Sequence, residues 1–110
     1  MNRRLAACAA ACLLAATAVP ASAQLSGDLV KIGVLNDQSG PYADFGGTTS
    51  VVAARMAIED FGGKVLGKPI ELVDADHQNK ADIAAATARR WFDVEGVDVV
   101  TDLTNSAVAL

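Results

Sequence analysis

Two short polar stretches of this 110-residue chain carry the side chains best suited to holding a ligand. The first runs Asn36-Asp37-Gln38-Ser39-Gly40-Pro41-Tyr42-Ala43-Asp44-Phe45-Gly46-Gly47. It offers the Ser39 hydroxyl, backbone N–H groups around Gly40, and two aromatic rings, Tyr42 and Phe45. The second, Asp102-Leu103-Thr104-Asn105-Ser106, offers two hydroxyls, a carboxamide and N–H groups at a point where a helix would begin. Hydroxyls, amides and the first N–H groups of a helix suit an anion such as a carboxylate. An aromatic side chain in an otherwise polar loop suits the cover of an organic ligand. The candidate ligand-binding residues are therefore Ser39, Gly40, Tyr42, Phe45, Thr104, Asn105 and Ser106. Phe45 has a competing use, packing onto the helix that follows.

Other chemistries fit the residues less well. Asp74, Asp76 and His77, the only histidine, form an acidic cluster that could hold a divalent metal. Oxygen-ligand metal loops carry more acidic positions at tighter, alternating spacing, so a solvated turn is the better reading and no metal is expected. Ser39, Ser50 and Ser106 could serve as nucleophiles, but His77 falls after a different strand, off to one side. Gly33 and Gly40 are too far apart for a dinucleotide fingerprint, and no phosphate-loop pattern occurs. Asp37 ends a strand where a phosphoacceptor could sit, but an export signal argues against that role. The residues point to binding rather than catalysis, with no cofactor.

The elements that must position the two stretches are legible. Leu29–Leu35 is a short apolar run containing β-branched residues, and reads as a strand buried on both faces. A helix is predicted over Thr48–Phe61, with Val51, Ala54, Ile58 and Phe61 on one stripe and Gly62-Gly63 as its left-handed stop. Lys64–Pro69 reads as a turn and Ile70–Asp74 as a second strand, where Glu71 suits an edge position. Ala75–Lys80 is a polar loop. A second helix is predicted over Ala81–Glu95, with Asn79 as N-cap, Asp82 in the first turn, and Ile83, Thr87, Trp91 and Val94 as its buried stripe. Gly96 stops it. Val97–Thr101 is a third strand, and a further helix begins near Ser106. The order βαβαβ(α) predicts an α/β fold, half of a doubly wound parallel sheet with strand order 2-1-3. The switch point then lies between strands one and three, so loops 36–47 and 102–106 should face each other across it.

Residues 1–23 read as a secretory signal peptide. Asn2-Arg3-Arg4 is the basic segment, Leu5–Val19 the apolar one, and Ala21-Ser22-Ala23 the cleavage site. The apolar run is short for a membrane span. Cys8 and Cys12, the only cysteines, both lie in this leader, and the apolar run follows Cys8 where a lipidation site would need it to precede. The chain has 13 acidic and 9 basic residues; without Arg3 and Arg4 the basic count is 7 and the net charge −6. That balance argues against nucleic acid or an anionic membrane as partner. The mature stretch, 24–110, is small for an α/β domain and ends in the apolar run Ser106-Ala107-Val108-Ala109-Leu110, so a longer protein is expected.

Ile32-Gly33-Val34-Leu35, then Ser39-Gly40-Pro41-Tyr42-Ala43-Asp44-Phe45-Gly46, resembles the opening of the periplasmic substrate-binding proteins of the branched-chain amino acid ABC-transport type. The likeness continues through helix 48–61, Gly62-Gly63, Leu66-Gly67-Lys68-Pro69-Ile70 and Val97-Asp98-Val99-Val100. It implies part of the N-terminal lobe of a two-lobe, type I binding protein that closes on its ligand, with the second lobe absent here. By this resemblance Phe45 takes the place of the aromatic residue that covers the ligand, and Asn105 and Ser106 fall in the loop that holds its carboxylate. Asn105 departs from the small hydroxyl residue usual there. Asp76-His77-Gln78-Asn79-Lys80 is similar to members that take aromatic or other organic acids. The resemblance implies a periplasmic, non-enzymatic solute receptor that binds a small carboxylate and hands it to a membrane permease, without itself inserting in the membrane. The alternatives are a ligand-sensing domain of an extracellular receptor and an exported enzyme on the same fold.

Overall fold

The computed structural model describes residues 25–110; the leader therefore lies outside the described residues. The first strand, β1 (Val30–Asn36), is the centre of the sheet. Its apolar and small residues are buried almost end to end, as a strand covered on both faces requires. Helix α1 (Gly47–Asp60) follows, then a two-residue strand β2 (Lys64–Val65) and the long strand β3 (Lys68–Asp76). Helix α2 (Ala81–Arg90) runs on into a π-helical turn (Trp91–Glu95), then come β4 (Val99–Thr101) and the short helix α3 (Ser106–Ala109).

The sheet order is β2-β3-β1-β4. β1 pairs in parallel with β3, Val30 opposite Ile70 through Asn36 opposite Asp76, and with β4, Gly33 opposite Val100. The three main strands thus stand in the predicted 2-1-3 order. β2 lies within the expected turn Lys64–Pro69; it forms a hairpin with β3, closed by Leu66 and Gly67, both at positive φ. Beyond β2's two residues β3 is an edge, as Glu71 suggested, and Glu71 lies 3.6 Å from Lys31 on β1.

Alternation along β1 divides the core between the two faces. Leu35 packs with Ala84, Trp91 and Val97 on the α2 side, flanked by Val73, Ala75 and Val100. Ile32 and Ile70 face α1, beside Ala54 and Ile58. Trp91, 2% exposed, lies across Gly33, where an added Cβ would stand 2.7 Å from Trp91 Cε3. Gly33 is therefore a small residue by steric necessity. Asp98 ties the start of β1 to the approach to β4 by accepting from the Lys31 and Ser26 amides, both at 2.8 Å. Those amides, Lys31's first, hold its carboxyl below the ordinary value.

Three expectations are corrected. Phe61, placed on the buried stripe of α1, is exposed, because it is the C-cap residue where the chain turns away through Gly62 and Gly63. Val94 is 78% exposed, because the π-turn advances the chain by an extra residue and rotates it off the face that Thr87 and Trp91 bury. The N-cap of α2 is Lys80, not Asn79, and no side chain caps it. Asp82 in the first turn and Gly96 as the left-handed stop are as predicted.

Candidate functional site

The loop after β1 is organised by its own Asp37. The side chain is fully buried and accepts from the Gly40 N–H at 2.7 Å and the Tyr42 N–H at 2.9 Å. Both carboxylate oxygens are consumed by this turn, so Asp37 is a loop builder and not a phosphoacceptor. Gly40 is required here, since a Cβ would lie 2.6 Å from both Asp37 oxygens. The turn carries Tyr42 and Phe45 outward. Their ring centroids are 6.3 Å apart at 52°, and Phe45 is 84% exposed. Phe45 does not pack onto α1; the pair forms an aromatic surface on the loop.

The loop after β4 meets this one at Gly46. A Cβ on Gly46 would lie 3.4 Å from Asp102 Oδ2 and 3.4 Å from Thr104 Cγ2. Asn36, at the end of β1, donates from Nδ2 to Gly47 O at 2.7 Å and to Asp102 Oδ2 at 2.8 Å. The two loops are thus adjacent across the β1–β4 switch point, where open α/β sheets place ligands. Gly46, the neighbour of Phe45, thus lies close to Thr104, two residues before Ser106.

Ser39, Tyr42 and Phe45 are exposed, as is Ser106 at the start of α3. Thr104 Oγ1 is buried at the loop junction and has no hydrogen-bond partner. Asn105 is the N-cap of α3: its Oδ1 accepts from the Ala107 N–H at 2.8 Å, and its Nδ2 donates to Asn79 Oδ1. Ser39 Oγ donates to Asp76 Oδ2 at 2.5 Å. Ser39 and Asn105 are therefore engaged within the protein. Periodicity gave no sign of this, because the partners come from a third loop.

The acidic cluster is spent on structure. Asp76 accepts from Ser39 and from the Gln38 and Gln78 amides, and Asp74 Oδ2 accepts from Gln38 Nε2 at 3.0 Å. Burial pushes the Asp76 carboxyl up, but the bonds from Ser39, Gln38 and Gln78, with His77 alongside, outweigh it and hold the group below the ordinary carboxylate value. His77 is fully buried, and its Nδ1 accepts from the Asn79 N–H at 3.0 Å. Among the described residues no three His, Cys, Asp or Glu side chains converge as a metal set.

Two apolar grooves lie elsewhere, one of about 430 Å³ between α1 and β3, the other of about 530 Å³ beside α2, β4 and α3. Neither is lined by Ser39, Tyr42, Phe45, Asn105 or Ser106. The first has only aliphatic and aromatic lining and could not orient a carboxylate.

The profile of the periplasmic binding protein family matches residues 29–110. No protein of curated function matches the chain. Among solved structures, a periplasmic binding protein from Burkholderia mallei is 60% identical, with a TM-score of 0.72 over 74% of this chain and 22% of that one. A branched chain amino acid ABC transporter periplasmic ligand-binding protein from Burkholderia xenovorans LB400 is 54% identical, with a TM-score of 0.70 over 73% of this chain and 21% of that one. An ABC-transporter solute binding protein from Rhodopseudomonas palustris, in complex with benzoate, is 27% identical, with a TM-score of 0.64 over 74% and 22%. The chain thus spans about a fifth of the length of these structures. Among the described residues no helix is long and apolar enough to cross a membrane. The chain belongs to the periplasmic binding protein family, with the type I α/β fold of its branched-chain amino acid ABC-transporter members.

Proposed function

We propose that this chain supplies part of the N-terminal lobe, residues 24–110, of an extracytoplasmic solute receptor, released from its leader after Ala23. The receptor binds a small carboxylate between two lobes and delivers it to the permease of an ABC importer. Ser39, Gly40, Tyr42, Phe45, Thr104, Asn105 and Ser106 form this lobe's share of the site. The observation that carries the reading is the exposed Tyr42–Phe45 pair standing beside a loop whose Thr104 hydroxyl lacks a partner. One side supplies apolar cover and the other polar groups, which is what an organic acid needs. The relatives support the class: one is named for branched-chain amino acids and another holds benzoate. Both ligands are small and carry a carboxylate. Closure would couple ligand binding to a surface the permease reads.

The test is a thermal-shift screen of the full-length mature protein against leucine, isoleucine, valine, phenylalanine and benzoate. A ligand present at about 100 times its Kd should stabilise the protein by about 2.7 kcal/mol. A flat response to every carboxylate would overturn the reading, and turnover of any of them would replace it with an enzymatic one.

A further inference from the structure

The turn between β3 and α2 is not one of the two loops at the switch point, yet it is bonded to both. β3 and β4 lie on opposite sides of β1, so nothing in the sheet order requires the β3 turn to touch the loop after β4. To do so it must reach over the end of β1, and it is anchored there by the His77 N–H, which donates to Asn36 O at 2.9 Å. On one flank Asp76 accepts from the Gln38 N–H at 2.9 Å and from Ser39 Oγ. On the other flank Asn79 Oδ1 accepts from Asn105 Nδ2, and Asn105 in turn caps α3 at the Ala107 N–H.

The turn is held in an unusual shape to make these bonds. Gln78 and Asn79 are consecutive residues at φ 53° and 57°, a left-handed pair without a glycine. Such backbone persists only where its surroundings over-determine it, and it gathers at functional positions. Two groups do the determining. Asp76 Oδ1 accepts from the Gln78 N–H at 2.8 Å, and His77 Nδ1 accepts from the Asn79 N–H at 3.0 Å. His77 has no exposed surface and its Nε2 has no partner. Its role in the fold is therefore to shape the turn from beneath rather than to meet solvent.

We propose that the Asp76–Asn79 turn is a yoke that sets the spacing of the two ligand loops, and that Asn79 is the positioning residue through which the start of α3 is held. This rests on the carboxylate-receptor reading of the crevice. Asn79 itself touches no ligand in this scheme; it acts through Asn105. Its side-chain oxygen is the group that matters, since its backbone is already fixed by His77.

The experiment compares wild type, Asn79→Ala and Asn79→Asp in the full-length mature protein. Aspartate keeps an acceptor oxygen and tolerates the left-handed backbone; alanine keeps neither. Asn79→Ala should raise hydrogen exchange at the amides of Ala107–Ala109, where local opening limits exchange. It should also weaken the tightest carboxylate of the thermal-shift screen, measured by calorimetry, by about tenfold, the order of one lost neutral hydrogen bond. Asn79→Asp should recover both. Exchange unchanged in Asn79→Ala, or an aspartate variant as weak as the alanine one, overturns the yoke. If wild type binds no carboxylate, the receptor reading fails, and the exchange comparison still decides whether Asn79 holds the start of α3.

Discussion

Asn36 Nδ2 donates to Asp102 Oδ2 at 2.8 Å, and this bond joins the carboxyl ends of β1 and β4. The same nitrogen donates to Gly47 O at 2.7 Å, so one buried amide fastens the loops after β1 and β4. Asn36→Ala strips two acceptors of their donor in a buried place. The expected cost is about 2–3 kcal/mol, read from urea denaturation of the full-length mature protein. Asp102 sits at φ 64°, which asparagine tolerates and alanine does not. Asp102→Asn should therefore stay near wild type while Asp102→Ala loses stability. An alanine variant as stable as wild type would show that neither the acceptor nor the backbone at 102 matters.

A second prediction concerns the floor of the α2 side. Trp91 occupies the space a side chain on Gly33 would need. Gly33→Ala should cost about 1–3 kcal/mol, as overpacking of a tight core does. Trp91→Leu opens that space at its own cost, so the double variant should lose less than the sum of the singles. Strict additivity in the urea midpoints would mean the ring moves aside freely.

How far the chain could be read in advance follows from where its information is local. β1 and the loop after it are written in neighbouring residues, an apolar run and then a cluster of Gly, Pro, Asn and Asp, and both appear where expected. The strand order follows from the alternation of elements. Asn79 has the residue type of a helix cap, but the cap of α2 is Lys80. In the fold Asn79 lies in a left-handed turn and gives its side chain to Asn105, 26 residues away. Val94 leaves the expected stripe because a five-residue π-turn cannot be seen in a 3.6-residue pattern. The aromatic loop was legible. The yoke beneath it was not, since the bonds that tie it to Asn36, Gln38, Ser39 and Asn105 join residues that no spacing rule connects.

The Asp76 carboxyl should make stability depend on acid. Its folded-state value lies below the ordinary one, because the bonds from Ser39, Gln38 and Gln78 outweigh its burial. The unfolded chain therefore binds the proton more readily. The contribution of Asp76 is complete above the ordinary carboxylate value, about pH 4, and is lost as pH falls through the folded-state value. In urea titrations from pH 6 to pH 2, the gap between wild type and Asp76→Asn should be widest at the upper end and shrink below about pH 4. A gap that stays constant across the range would show that Asp76 is not held in its charged form by these partners.

Phe45 separates a binding role from a structural one. The ring is 84% exposed and its one aromatic neighbour is Tyr42, with centroids 6.3 Å apart, so the fold loses little without it. Phe45→Ala should change unfolding stability by no more than about 0.5 kcal/mol, the usual range at a surface position. If the ring covers the ligand, the same variant should weaken the best carboxylate by about tenfold or more, or about 1.4 kcal/mol, as loss of an aromatic anchor does. Phe45→Tyr keeps the face of the ring and should bind nearly as wild type. Calorimetry on the three proteins decides the matter. An Ala variant with wild-type affinity would make Phe45 a loop ornament and move the aromatic cover to Tyr42 or to the second lobe. An Ala variant that loses affinity at full stability leaves contact with the ligand as the only use for so exposed a ring.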